Sequence, residues 1–323
     1  MLKLNKKFIL FIVLLNIVAL TLSACGKREK EEGIVAKVNG DIITQEEFDK
    51  DFEITKKIHQ KNYGEDILSQ EVGNNKTYEE VLKENMLEKL IIGNLIAKEL
   101  EKMNITVTDG EVKDAIKTYY IDELGGEEKY KEYLKNNGFT EEFFKKELKR
   151  EIMCQKHKEE FLNKINLSEN EIKEYFEKNK DYLIQVRASQ ILVKTEEEGN
   201  KILEKLKKGE DFHSLVATES ADEDSAVKGG DLGYFTRGTS LKEYRELEDI
   251  AFDLQIGEVS DLVKTELGYH IILVEDRKDS YEDLKEDIIP VIENERYIKK
   301  LSDLRDNADI EIYLEKDKDD KGN

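Results

Sequence analysis

Few side chains in this sequence are strongly reactive, and their placement narrows the chemistry open to them. There are two cysteines and four histidines in 323 residues. Cys25 directly follows Leu22-Ser23-Ala24 at the end of an apolar run that begins at Phe8. Small residues there let the backbone enter a peptidase cleft, and the cysteine behind them offers a thiol for lipid attachment. Cys154 lies in a helical run, Glu141 to Ile165, with no histidine spaced to activate it. It reads as a small buried hydrophobe rather than a reactive thiol. With Cys25 engaged, Cys154 has no partner for an internal disulfide. Scattered histidines and the lack of a cysteine pair give no case for a metal site, and no cofactor is expected. Gly229, Gly230 and Gly233 crowd one short stretch, where they permit a backbone approach that larger residues block.

The elements that carry these residues begin with a leader. Lys3, Lys6 and Lys7 precede the apolar run Phe8 to Leu22, which only Asn16 and Thr21 interrupt. That run is short for a spanning helix, which needs roughly 20 apolar residues. Residues 1–24 therefore read as a secretory signal, and Leu22-Ser23-Ala24-Cys25 resembles the lipobox of bacterial lipoproteins. The alternative is an ordinary signal or N-terminal anchor with an incidental cysteine. Residues 25–33 form a charged tether. The formal charge is −21, from 73 acidic and 52 basic residues, and cleavage after Ala24 removes three lysines and makes the chain more acidic still. Such a balance argues against general nucleic-acid binding. Hydrophobic residues are 38%, charged residues 39% and aromatics 8%. The aromatics exclude full disorder, and the charge implies small cores with large wetted faces.

Three sections follow the tether. Residues 34–183 are helical in pattern after a short strand at Val35 to Val38 and an Asn39-Gly40 turn. Thr44 starts a helix carrying Phe48 and Phe52, and Tyr78 to Met103 shows a wide apolar stripe. Thr108 and Ser168 open further helices, with breaks at Gly125-Gly126 and Asn136-Asn137-Gly138. Residues 184–277 change character: a strand from Gln185 to Val193, helices at Glu196 to Lys208 and Phe212 to Thr218, a glycine-rich loop, a short helix near Leu247 to Phe252, and a strand from Tyr269 to Val274. This order predicts a compact α+β unit. Residues 278–323 resume helix from Tyr281 to Arg305 and end in an alternating strand, Asp309 to Leu314, before a charged tail expected to be disordered. Strands near both ends could pair, which would make the α+β unit an insertion in one helical body.

The middle section contains five ordered motifs: Val186-Arg187-Ala188-Ser189-Gln190-Ile191-Leu192-Val193, Gly229-Gly230-Asp231-Leu232-Gly233-Tyr234-Phe235, Ala251-Phe252, Gly257-Glu258-Val259-Ser260 and Gly268-Tyr269-His270-Ile271-Ile272. Together they resemble the parvulin family of peptidyl-prolyl cis/trans isomerases. With the leader and helical flanks, the whole chain resembles the PrsA-type foldase lipoproteins. The fold this implies is α+β, a parvulin-like domain inserted in a mainly helical, SurA/PrsA-like chaperone body. The resemblance also implies an extracytoplasmic protein, held at the outer face of the cell membrane by a lipid on Cys25, that assists folding of secreted proteins. Its partners would be unfolded or partly folded clients, with no nucleic acid, and the helical arms offer a surface for homodimerisation.

Isomerisation of an X-Pro bond breaks no bond, so the site needs only an apolar cradle for the ring and polar groups that favour the twisted amide. The resemblance places His270 in the family's central polar network and puts Gln190 where a second histidine is usual. Gln190 keeps hydrogen-bonding capacity but cannot titrate. The family's acidic or thiol position falls on Asp222, favoured by Ser220-Ala221-Asp222, or on Glu223 when counted back from Gly230 without gaps. The proline pocket would use Leu241, Tyr244 or Leu247, and Phe252, which is equally a core residue. Two functions follow: an isomerase active in residues 184–277, or a non-catalytic holdase whose parvulin-like unit only binds, which Gln190 favours. A solute-binding lipoprotein is set aside because its repeated βαβ patterns are missing.

Overall fold

The computed structural model describes residues 32–239 and 244–314. The leader, Cys25, Leu241 and the charged tail lie outside the described residues. In chain order the elements are β1 (Ile34–Val38), β2 (Asp41–Thr44), α1 (Gln45–Tyr63), α2 (Tyr78–Lys102), α3 (Asp109–Ile116), a π-helical turn (Lys117–Ile121), α4 (Asp122–Leu124), α5 (Glu127–Asn137), α6 (Glu141–Leu162) and α7 (Glu169–Leu183). There follow β3 (Gln185–Val193), α8 (Glu196–Lys207), α9 (Phe212–Glu219), α10 (Glu223–Ala226), β4 (Asp231–Thr236), α11 (Arg245–Asp253), β5 (Val263–Lys264), β6 (Tyr269–Lys278), α12 (Tyr281–Asp306) and β7 (Ile310–Ile312). Two compact units result. One runs to Ile165 and resumes at Tyr297; the other, Asn166–Arg296, is inserted between those two segments of chain.

Local rules start the helices. Thr77, Thr108, Ser168 and Thr195 each accept from the backbone of a glutamate three residues on, whose carboxylate returns to the cap backbone. This reciprocal box satisfies donors that a helix start leaves open. In the first unit, Asn39 and Gly40 both take positive φ, +49° and +89°, as a two-residue hairpin turn requires. β7 pairs antiparallel with β1 on the side away from β2, in the order β2-β1-β7. Ile310 and Ile312 then pack on a core of Val35, Val38, Phe48 and Ile91.

A second core fills the space among α3, α5 and α6. Phe144, fully buried, meets Tyr120 edge-on at 4.9 Å and lies within 5.8 Å of Tyr130 and 5.7 Å of Phe139. Beside it, the buried Asp51 carboxylate on α1 accepts from Lys146 at 2.6 Å and Arg150 at 3.4 Å, both on α6. Removing one partner of such a buried pair leaves a bare charge, which costs more than the pair itself contributes.

The second unit is built on an antiparallel sheet in the order β4-β3-β6-β5. One face carries Val186, Ala188, Ile272 and Val274 beneath α11. The other carries Ile191, Val193 and Ile271 beneath α8 and α9. Both faces are covered, so β3 is buried nearly throughout from Ala188 onward rather than alternating. β4 and β5 fall where the sequence pattern indicated only loop. Asp231 and Gly233 are poor strand formers, and β4 forms because β3 supplies partners on either side of an irregularity at Gly233.

Truncation of Phe144 tests the first unit's dependence on its aromatic core. Phe144→Ala should lower that unit's stability by about 3–5 kcal/mol, read as an earlier urea transition by circular dichroism. A loss below about 1 kcal/mol would show that the cluster packs without it.

Candidate functional site

The site forms where β3, β6 and the segment before α10 meet. His270 on β6 lies opposite Leu192, and Gln190 lies opposite Ile272, so His270 and Gln190 share a face as diagonal neighbours. The segment that brings the acid is stitched to β3. Ala221 N donates to Leu192 O at 2.6 Å, and Leu192 N donates to the Ser220 hydroxyl at 3.2 Å. That stitching sets Asp222 against Gln190. Glu223 and Asp224, the other two acids of the run, are exposed.

The result is a continuous polar chain. Leu267 N donates to Thr265 Oγ1 at 3.1 Å, and Thr265 Oγ1 lies 2.8 Å from His270 Nε2. His270 Nδ1 is 3.0 Å from Gln190 Oε1, and Gln190 Nε2 donates to Asp222 Oδ2 at 2.7 Å. Ser225 Oγ donates to the same oxygen at 2.6 Å. Chemistry orients every link. An ionised carboxylate only accepts, so the Gln190 amide nitrogen faces Asp222 and its carbonyl faces His270. His270 must then donate from Nδ1, which leaves Nε2 to accept the Thr265 hydroxyl proton.

Charge states agree with this polarity. Burial pushes the Asp222 carboxyl up, but the bonds from Ser225 and Gln190 outweigh it and hold the group below its ordinary range. His270 is 0% exposed. Burial lowers its imidazole to about 4, against the opposing pull of Asp222 and with a small push from Lys194. The folded protein therefore keeps His270 neutral, whereas the unfolded chain protonates it near pH 6.5. Stability from this burial is present above about pH 6.5 and is lost as pH falls toward 4, by about 3 kcal/mol in total.

Two glycines make the close approaches possible. Gly230, at φ +85°, accepts from Gln190 N at 2.9 Å, and a Cβ there would sit 2.6 Å from Gln190 O. Gly268, at φ +145°, would bring a Cβ to 2.4 Å from Val193 O. Gly233 also has positive φ but faces open space.

The apolar residues expected of a pocket lie on the His270 side of the sheet. Tyr244 is half-buried, its ring edge-on to the imidazole at 6.5 Å. Leu247 is buried within the core beneath α11, at 4% exposed. Phe252 is half-buried, packed against Phe235 at 6.1 Å, with the Arg237 guanidinium 4.6 Å from its ring centroid. Thr265 and Ser225 were not singled out by sequence, because nothing local distinguishes them. Cys154 is half-buried, and burial raises its thiol to about 11. Among the described residues no group of three His, Cys, Asp or Glu side chains is placed to hold a metal ion. A surface hollow of about 430 Å³ on the first unit is lined largely by charge, including Glu46, Glu47, Lys50, Asp51, Glu142 and Lys146. Small-molecule clefts are mostly apolar, so this hollow is unlike one.

Nitrogen NMR of the imidazoles in the full chain checks the assigned states. His270 should stay neutral and protonated at Nδ1 at pH 5.5, with its titration near 4. An imidazolium at pH 6 would contradict the polarity of the chain.

Comparison with known proteins places this geometry. Residues 1–158 match a family model for a SurA-like N-terminal domain, and residues 183–276 match one for a PPIC-type peptidyl-prolyl isomerase domain. The foldase protein PrsA of Caldanaerobacter subterraneus subsp. tengcongensis is 33% identical over 271 residues, covering 83% of this chain and 82% of that protein. The foldase protein PrsA of Clostridium botulinum is 30% identical over 338 residues, covering 96% and 98%. A crystal structure of the peptidylprolyl isomerase PrsA from Bacillus anthracis is 33% identical, covers 68% of this chain and 94% of that one, and superposes with a TM-score of 0.34. Sequence likeness sustained over most of both chains, with the isomerase match lying on the strands and loops that hold His270, shows that this chain belongs to the PrsA foldase family and is a peptidyl-prolyl cis/trans isomerase of the parvulin type.

Proposed function

We propose that the chain is a lipid-anchored extracytoplasmic foldase whose catalytic residues are His270, Gln190 and Asp222. The observation that carries this reading is the polar chain from Thr265 to Ser225, closed at every link and set beside an apolar surface. Uncatalysed X-Pro isomerisation takes tens to hundreds of seconds because the amide resists twisting. Tyr244 and Phe252, both half-buried, with Leu241 outside the described residues, would cradle the proline ring, whereas Leu247 is taken up by the core beneath α11. The rigid polar edge at His270 would favour the twisted amide over both planar forms, since its groups are already oriented before the bond turns. Neutral His270 and anionic Asp222 hold the same states across the neutral range, so the rate should vary little between about pH 5.5 and 8.

A second reading is kept for Gln190. An amide in the place of a titratable ring suits a holdase, in which the second unit binds clients and the first unit shelters them. The two readings separate on one X-Pro peptide assay with the chain from residue 26 onward. His270→Ala should lower kcat/KM by about tenfold or more, the usual scale for losing a buried hydrogen-bonded group. Gln190→His should raise it. Background rates in the parent and both variants would leave the holding function.

Anchoring rests on Leu22-Ser23-Ala24-Cys25 and on the apolar run before it. Among the described residues, no helix is long and apolar enough to cross a membrane. Clients would be unfolded secreted chains, and pairing of two copies through the helical unit is part of this proposal. Expressed with its leader, Cys25→Ala should move the protein from the membrane to the soluble fraction. A variant that stays bound through an uncleaved leader would refute lipidation as the anchor.

A further inference from the structure

Ser225 holds Gln190 from two directions. Its hydroxyl donates to Asp222 Oδ2 at 2.6 Å, the oxygen that also takes the Gln190 amide at 2.7 Å. Its backbone carbonyl accepts from Gly230 N at 2.8 Å, and Gly230 O in turn accepts from Gln190 N at 2.9 Å. The first path ends on the side chain of Gln190 and the second on its backbone. Ser225 itself is buried, at 7% exposed, on the single turn of α10. Asp222 precedes that turn, and its carboxylate joins the turn to Gln190.

We infer that Ser225 is a positioning residue for the isomerase site. By fixing Asp222 as an acceptor on Gln190, it sets the direction of the amide and hence the Nδ1-protonated form of His270. This deepens the proposed roles of Asp222 and Gln190 and rests on them. Without the hydroxyl, Asp222 loses one of the donors that hold its carboxylate and keeps the Gln190 amide. Its carboxyl then ionises less readily, and a protonated carboxyl can donate, which lets the Gln190 amide turn over and offer its nitrogen to His270. His270 would then have to accept at Nδ1, and the whole chain would reverse. A histidine in place of Gln190 could change tautomer without turning; an amide cannot, so the direction in this chain depends on what holds its far end.

The test uses the chain from residue 26 onward with Ser225→Ala, Ser225→Thr and Asp222→Asn. Three readouts are followed: X-Pro isomerisation against pH, the titration of the Asp222 carboxyl by carbon NMR, and the His270 ring by nitrogen NMR. Ser225→Ala should raise the Asp222 titration by about one pH unit, the usual scale for losing one donor to a carboxylate. In the acid range where Asp222 is then protonated, it should also populate the Nδ1-unprotonated ring of His270 and move the acid limb of the activity profile upward, and Ser225→Thr should restore all three. If activity falls equally at every pH with both titrations unchanged, Ser225 is merely structural and the inference is overturned. Wild-type behaviour of Ser225→Ala beside an impaired Asp222→Asn also overturns it. Wild-type activity in Asp222→Asn instead removes the proposed role of Asp222 itself. Should Ser225→Ala fail to fold, Ser225→Val beside Ser225→Thr gives the same comparison at nearly equal size.

Discussion

Antiparallel pairing of β3 with β6, in one register from Ala188–Val274 to Val193–Tyr269 beyond a bulge at Arg187/Ala188, is the constraint on which the second unit depends. Side chains along a strand alternate faces, so a slip of one residue would carry His270 away from Gln190 and into the layer that packs under α8 and α9. The apolar residues forbid that slip. Val186, Ala188, Ile272 and Val274 belong to one core and Ile191, Val193 and Ile271 to another, and exchanging them would break both. The register that buries the cores is thus the one that assembles the site.

Burying an imidazole, an amide and a carboxylate edge between those cores is costly unless every group is bonded. Here each has a partner of the right polarity, and the carboxylate end is open enough to remain charged. Gln190 is the link with no freedom of proton. It bridges a base and an acid while being neither, so the site holds one arrangement instead of exchanging between two. Rigid, oriented polar groups suit a reaction whose barrier is a rotation and whose atoms all stay bonded.

The first unit solves a different problem. It closes its core by returning the end of the chain to the beginning, β7 against β1, and by tying α1 to α6 through Asp51, Lys146 and Arg150. The low hydrophobic content of the whole sequence therefore reflects cores split among several small clusters, each beneath wet helical faces.

Much of this protein is legible in the sequence because it is governed locally. The starts at Thr44, Thr108 and Ser168, the Asn39-Gly40 turn and the glycine approach at Gly230 follow from residue type and spacing, since caps and turns are decided within a few residues. The parvulin motifs named His270 and Gln190 by their places on strands. What the sequence could not decide is who bonds to whom. Asp222, rather than Glu223, reaches Gln190 because Ser220 and Ala221 are bound to Leu192, a contact made across 28 residues of chain. Thr265 and Ser225 carry no local signature, and β4 reads as a glycine loop until β3 lies beside it. These choices belong to tertiary structure because each depends on a partner distant in sequence, and only the packed sheet brings the two within hydrogen-bonding distance.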